Sequence, residues 1–179
     1  MLRIQETALL VVDVQEKLFA RMHEREALGQ NITRFIQGGL ALGLPLVWAE
    51  QYPEGMGPTV APVADLLRPL APIPKKTFSL CRLPALMEAI EKTGRKRFLL
   101  VGIETHVCIY QTAIDLLQLG YQADVVTDCV SSRTAANHAL ALNRIQQAGG
   151  HLTSLEMALF ELLRSADHPQ FKQILSVVK

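Results

Sequence analysis

Cys108, Asp13 and Lys75 are the residues of this chain whose types and settings could carry covalent chemistry. Cys108 closes the run Phe98-Leu-Leu-Val-Gly-Ile-Glu-Thr-His-Val-Cys108. Its four opening residues read as a buried strand, and Gly102 lets the backbone turn sharply. From His106 onward Val107, Tyr110, Ile114 and Leu117 recur at near-helical spacing. Cys108 is therefore expected in the first turn of a helix that follows a strand. Free amides and the positive end of the helix dipole there would favour a thiolate, lower its pKa and hold an oxyanion. Read alone, Cys108 is equally a small buried apolar side chain. Asp13 follows the apolar run 8–12, and Lys75 ends a short stretch that starts at Ile73. All three lie at or just beyond the C-terminal end of a predicted strand, the rim where open α/β sheets bind ligands. An Asp there can take a thiol proton. A Lys ammonium can stabilise both a thiolate and a carbonyl oxygen, which completes the outline of a thiol hydrolase.

The elements that must position these residues alternate. Continuous apolar runs at 8–12, 45–49 and 98–101, with 123–127, read as parallel strands covered on both faces. Residues 73–76 and 151–153 read as two short strands. Helical patterns fall at 27–42, stopped by Gly43, at 83–93, stopped by Gly94, and from His106 to Gly120. Others run from Thr134 to Ala148 and onward from Ser154, with Glu156 in its first turn. Residues 165–179 form an amphipathic segment with Phe171, Ile174, Leu175 and Val178 on one face. Such alternation predicts a Rossmann-like, three-layer αβα sandwich of about six mostly parallel strands. Residues 50–74 form a long connection rich in Pro and Gly, with a short helix expected at 60–67. A loop of that length in a compact domain is usually functional. Walker-A and Gly-x-Gly-x-x-Gly patterns are absent, so phosphate-binding versions of this class lose support.

With 179 residues, 49% of them hydrophobic, the chain suits one domain, residues 1–179, with a substantial core. A formal charge of +1 gives no general pull toward nucleic acid or an anionic membrane. Three cysteines, Cys81, Cys108 and Cys129, match neither a disulfide framework nor a common zinc spacing. No apolar run is long enough to span a bilayer, and no signal peptide is visible. A reduced, cytoplasmic setting is the expectation.

Three ordered motifs give the chain a family likeness. They are Val12-Asp-Val-Gln15, Lys75-Lys-Thr-Phe-Ser79 and Gly102-Ile-Glu-Thr-His-Val-Cys108. In order and spacing the chain resembles the isochorismatase-like cysteine hydrolases, and especially their small isochorismatase-domain branch. That branch also shares Glu50-Gln-Tyr-Pro53, Asp128-Cys-Val-Ser-Ser-Arg133 and His168-Pro-Gln-Phe-Lys172. The resemblance implies a catalytic triad of Asp13, Lys75 and Cys108, with Lys75 favoured over Lys76 by its spacing from Phe78. It further implies a cis peptide at Ile103–Glu104 that aims the Glu104 amide, with that of Cys108, at a developing oxyanion. The implied reaction is hydrolysis of a small amide or related C–N bond through an acyl-thioester, with no cofactor and in a homo-oligomer, dimer or tetramer. Nicotinamidases of the superfamily bind a metal through histidines after the second strand. The matching stretch here, Trp48-Ala-Glu-Gln-Tyr-Pro53, contains none, so no metal site is expected.

Gln15, Gln51, Tyr52, Phe78, Ile103 and His106 are candidates for the substrate pocket. His106 is two positions from Cys108, and i and i+2 point apart on a helix, which argues for wall or cap over a Cys–His pair. Asp128 is expected to cap a helix or pair with Arg133. Three rival functions stand beside the amide hydrolase: vinyl ether cleavage, a non-catalytic assembly or partner-binding protein on the same fold, and a redox-sensing thiol assisted by Cys81 or Cys129.

Overall fold

The computed structural model describes residues 1–179. Six strands, all parallel, form one sheet in the order β3-β2-β1-β4-β5-β6. They are β1 (Thr7–Val12), β2 (Leu46–Gln51), β3 (Ile73–Lys75), β4 (Arg97–Ile103), β5 (Gln122–Ser131) and β6 (His151–Thr153). β1 is central and buried along its whole length, as a strand covered on both faces must be. Its side chains alternate between two cores. Leu9 and Val11 face a layer built on α2 (Arg25–Ala41), α4 (Ala61–Leu67), α8 (Leu155–Leu163) and α9 (Phe171–Val178). Ala8, Leu10 and Val12 face α5 (Pro84–Lys92), α6 (Tyr110–Gln118) and α7 (Ala135–Gln147). The short α1 (Glu16–Phe19) and α3 (Pro53–Met56) lie over the C-terminal rim. The result is the expected three-layer α/β sandwich.

Three expectations need correction. β5 does not end at Thr127 but runs to Ser131. Two steps along β4, from Leu100 to Gly102, match five along β5, from Val125 to Val130. The extra residues bulge, and Asp128 leaves the ladder to accept the Leu155 amide at the start of α8, at 2.8 Å. Asp128 is thus a helix cap, whereas Arg133 pairs with Glu104. The C-terminal segment is helical only from Phe171, after Pro169. The long connection holds two short helices, α3 as well as the expected one at Ala61–Leu67.

Gly102 shapes the rim. It lies in register with Val12 of β1 at φ +117°, a backbone region that side chains rarely adopt. A Cβ added there would run into the Val12 carbonyl. The glycine therefore lets β4 lie against β1 where both strands deliver their site residues. Gly102→Ala is expected to cost more than about 3 kcal/mol or to prevent folding, read as the midpoint of urea denaturation. Gly120→Ala, at a similar positive φ but in open space, is expected to cost much less.

Candidate active site

Three strand ends converge on one ammonium group. Lys75 is the last residue of β3, and its side chain is wholly buried. Its Nζ reaches Asp13 Oδ2 at 2.7 Å, Gln51 Oε1 at 2.6 Å, the Thr77 and Phe78 carbonyls at 3.2 Å each, and Cys108 Sγ at 3.6 Å. An ammonium has three protons. The two short contacts take two of them, and the third is shared among the carbonyls and the sulfur. Asp13 follows β1 in the left-handed region, φ 53°, which Asp tolerates better than most residues. This turn takes the chain off the sheet and leaves the carboxylate buried at the rim. Its second oxygen, Oδ1, is buried without a hydrogen-bond partner, and Cys108 is the neighbour that acts on Asp13 after Lys75.

Cys108 lies in a π-helical turn, Thr105–Ile109, that leads into α6. The Glu104 carbonyl accepts from the Val107 and Ile109 amides, at 3.1 and 3.2 Å, and passes over the Cys108 amide between them. The Glu104 amide enters no turn or loop hydrogen bond, and the Ile103–Glu104 peptide is cis.

The electrostatics overturn one expectation. The Cys108 thiol is not acidified by its place at the head of a helix. Burial pushes it far above an ordinary thiol, and the negative charge of Asp13 adds to this; Lys75 pulls the other way but does not compensate. Asp13 is also raised, because burial outweighs the pull of Lys75. Burial thus works against charge on both the sulfur and the carboxyl, and the contact with Lys75 offsets part of it at each.

The pocket candidates divide. Gln51 touches the reactive cluster, with Oε1 on Lys75 and Nε2 donating to the Lys76 carbonyl at 3.1 Å. Lys76 itself turns outward, its ammonium 5.3 Å from the Tyr52 ring centre. Phe78 directs its carbonyl at Lys75 while its ring is exposed, and the exposed Tyr52 bonds the Lys75 carbonyl through its amide. Gln15 and Ile103 are not pocket side chains. Ile103 is core. Gln15 is fully buried and pins the long connection, donating to the Gln51 and Gly57 carbonyls at 3.0 and 2.7 Å and accepting from the Gln51 amide at 2.7 Å. His106 bonds Ser132 Oγ at 2.9 Å and makes no pair with Cys108.

Two features escaped the sequence reading. Glu50 is buried and accepts both the amide and the hydroxyl of Thr59, whose Oγ also takes the Trp48 indole. This cluster fastens the connection to β2. Arg133 donates from Nε to Glu104 Oε1 at 3.0 Å and braces the turn that carries Cys108. No residue spacing announces such a pair. Cys81 and Cys129 are free thiols raised by burial, Cys81 to about 11. Neither has the low pKa that redox sensing needs. No group of three or more His, Cys, Asp or Glu gathers in a metal-binding cluster, and no helix is long and apolar enough to cross a membrane.

Comparison with known proteins agrees with this architecture. The isochorismatase domain profile matches residues 7–157. "Isochorismatase domain-containing protein 2A" of Mus musculus is 36% identical over 176 residues, covering 98% of this chain and 84% of the relative. "Secreted isochorismatase effector Isc1" of Phytophthora sojae is 35% identical over 179 residues, covering 97% and 84%. Among solved structures, "MAR1 Ribonuclease" from Caenorhabditis elegans superposes with a TM-score of 0.93 at 35% identity, covering 99% of this chain and 91% of that one.

The charges around Cys108 set two expected outcomes. Alkylation of Cys108 should be slow near neutral pH and should still be rising above pH ~9. Asp13→Asn removes a charge that raises the thiol and should accelerate it near pH 8, whereas Lys75→Met should slow it; peptide mass spectrometry reads both. Lys75→Met also leaves Asp13 buried without its partner and should destabilise the protein by about 3–5 kcal/mol. The double variant Asp13→Asn/Lys75→Met should recover part of that loss in denaturant titration.

Proposed function

This chain belongs to the isochorismatase family, and within it we propose a cysteine hydrolase of small amides or related C–N bonds, built on Asp13, Lys75 and Cys108 in one domain of residues 1–179. The observation that carries the reading is the single buried ammonium that touches both the carboxylate and the sulfur. In this reading Asp13 Oδ1 takes the Sγ proton as sulfur attacks the carbonyl carbon. The amides of Glu104 and Cys108 hold the resulting oxyanion, and Lys75 stabilises the charge on sulfur. Protonated Asp13 gives its proton to the leaving nitrogen. The amine departs and a thioester remains on Cys108. Asp13 then takes a proton from water, which attacks the thioester; the acid leaves and sulfur regains its proton.

A neutral resting thiol fits this sequence. The proton moves only when a carbonyl is present to accept the electron pair, so the site avoids holding a standing thiolate. The small formal charge of +1 and the burial of all three groups favour a small molecule over a polymer as substrate. The relative described as a ribonuclease therefore does not guide the substrate proposed here. Three free cysteines suit a reducing, cytoplasmic setting, and a homo-oligomer is proposed with the rest of the family likeness. Vinyl ether cleavage has no need of a nucleophilic sulfur, so retention of Cys108 between Lys75 and Asp13 favours the amide.

The test is steady-state hydrolysis of a panel of small primary amides and amidines. Cys108→Ala is expected to lose at least ~10³-fold in kcat on whichever compound is turned over, and Asp13→Asn a comparable factor. Undiminished hydrolysis by Cys108→Ala would overturn the reading.

A further inference from the structure

The turn that carries Cys108 is held from outside through its own side chains. Glu104, Thr105 and His106 are consecutive, and each reaches a residue between Ser132 and His138. Glu104 accepts from Arg133 at 3.0 Å, Thr105 Oγ1 is 3.0 Å from His138 Nδ1, and His106 Nδ1 is 2.9 Å from Ser132 Oγ. The first contact is partly in water, since the Arg133 side chain is 56% exposed, and an ion pair of that kind holds weakly. The other two each join an imidazole to a fully buried hydroxyl, Thr105 in one and Ser132 in the other. A buried hydroxyl needs a partner, and His138 is the one that Thr105 Oγ1 has.

The far ends of these bonds are themselves fixed. The Ser132 carbonyl accepts the His23 amide at 2.9 Å, and Ser131 Oγ donates to the His23 carbonyl at 2.8 Å. His23 lies on the segment that leaves Asp13 through α1. The end of β5 therefore ties down both that segment and the turn of Cys108. His138 lies at the start of α7, whose first turn is capped by Thr134 Oγ1 accepting the Asn137 amide at 3.2 Å. It shares a face of the helix with the buried Ala141 and Ile145, at i, i+3 and i+7. Its ring also lines a cavity of about 120 Å³ with His23, Glu24, Asn31 and Asp128. Burial and the nearby His23 hold this imidazole below its ordinary range, against the pull of Glu24. A neutral ring has one nitrogen free to accept, and Nδ1 is the nitrogen that faces the Thr105 hydroxyl.

We infer that Ser132 and His138 are positioning residues, which clamp His106 and Thr105 and so set where the turn places Cys108 Sγ relative to Lys75 and Asp13. Neither residue hydrogen-bonds the reactive cluster itself. Their effect passes through the turn, which carries the sulfur and the amides of Glu104 and Cys108 together. A displacement of about 1 Å at a reacting group can cost about 10²-fold in rate. The reaction that the clamp serves rests on the hydrolase reading; the clamp on the turn does not.

Two measurements test the clamp without a substrate: hydrogen–deuterium exchange of the peptide covering 104–109, and alkylation of Cys108 by iodoacetamide. Thr105→Val and His138→Leu are each expected to speed exchange of the Val107 and Ile109 amides. Each should also speed alkylation about tenfold, because Cys108 is only 5% exposed and a loosened turn uncovers it. Ser132→Ala should act in the same direction. Thr105→Ser keeps the hydroxyl and His138→Asn keeps a polar atom near Nδ1, so both should stay close to the wild type. On an amide that the wild type hydrolyses, Thr105→Val and His138→Leu should lose about 10²-fold in kcat with KM little changed. The double variant Thr105→Val/His138→Leu removes both polar groups, so its urea midpoint should return toward the wild type. Its exchange, alkylation and kcat should remain those of the single variants. Wild-type exchange and alkylation in either single variant, or their recovery in the double variant along with stability, overturns the clamp. Faster exchange and alkylation in the variants of a protein that hydrolyses no amide keeps the clamp and loses the hydrolase reading. Unchanged exchange and alkylation in the variants of a protein that does hydrolyse amides does the reverse.

Discussion

The ion pair between Lys75 and Asp13 is the constraint on which the rest of the site depends. Both side chains are wholly buried and 2.7 Å apart. A buried charge is tolerable only when its partner and its remaining hydrogen-bond capacity are supplied. Gln51 and the Thr77 and Phe78 carbonyls complete the ammonium, so the chain after β3 must wrap back over its own end. The long connection after β2 must close over the rim as well, and buried Gln15 and Glu50 hold it there. The loop that sequence marks as functional by its length is thus held by hydrogen bonds to strand-end residues as well as by the packing of α4 against the main core.

The same pair sets the chemistry. Low polarity raises both the Cys108 thiol and the Asp13 carboxyl, and the carboxylate adds its own field at the sulfur. Both shifts oppose charge on the group they act on, so a thiolate is favoured only as an electrophile arrives. Lys75 is 3.6 Å from sulfur, near enough to favour the thiolate as it forms but outweighed at rest. A helix terminus alone would have produced a standing thiolate. Burial and a neighbouring carboxylate produce a conditional one.

Much of this was legible in the sequence, and for a physical reason. Parallel strands buried on both faces read as unbroken apolar runs, so the residues that end them, Asp13, Lys75 and Cys108 beyond Gly102, mark one rim. Strand count, order of helices and the outward turn of Lys76 follow from the same alternation. What stayed hidden depends on distance in space. The bulge that carries Asp128 out of β5 leaves no trace in an apolar run that simply pauses at Thr127. Gln15 looks like a pocket residue, and only its buried contacts with Gln51 and Gly57 make it a pin. Arg133 and Glu104 are 29 positions apart, with nothing in either neighbourhood to pair them. The thiol's environment stays hidden for the same reason: a helix terminus can be read from order along the chain, whereas desolvation of Cys108 cannot.

Everything proposed for the site turns on whether Cys108 becomes acylated with Asp13 and Lys75 beside it. The most direct measurement is acid-quenched mass spectrometry of the whole protein during turnover of a small amide, followed by digestion to locate the adduct. A transient mass increase equal to the acyl group is expected, carried by the peptide that contains Cys108 and discharged by hydroxylamine. Product formation with no adduct at any quench time, or an adduct on another residue, would contradict it.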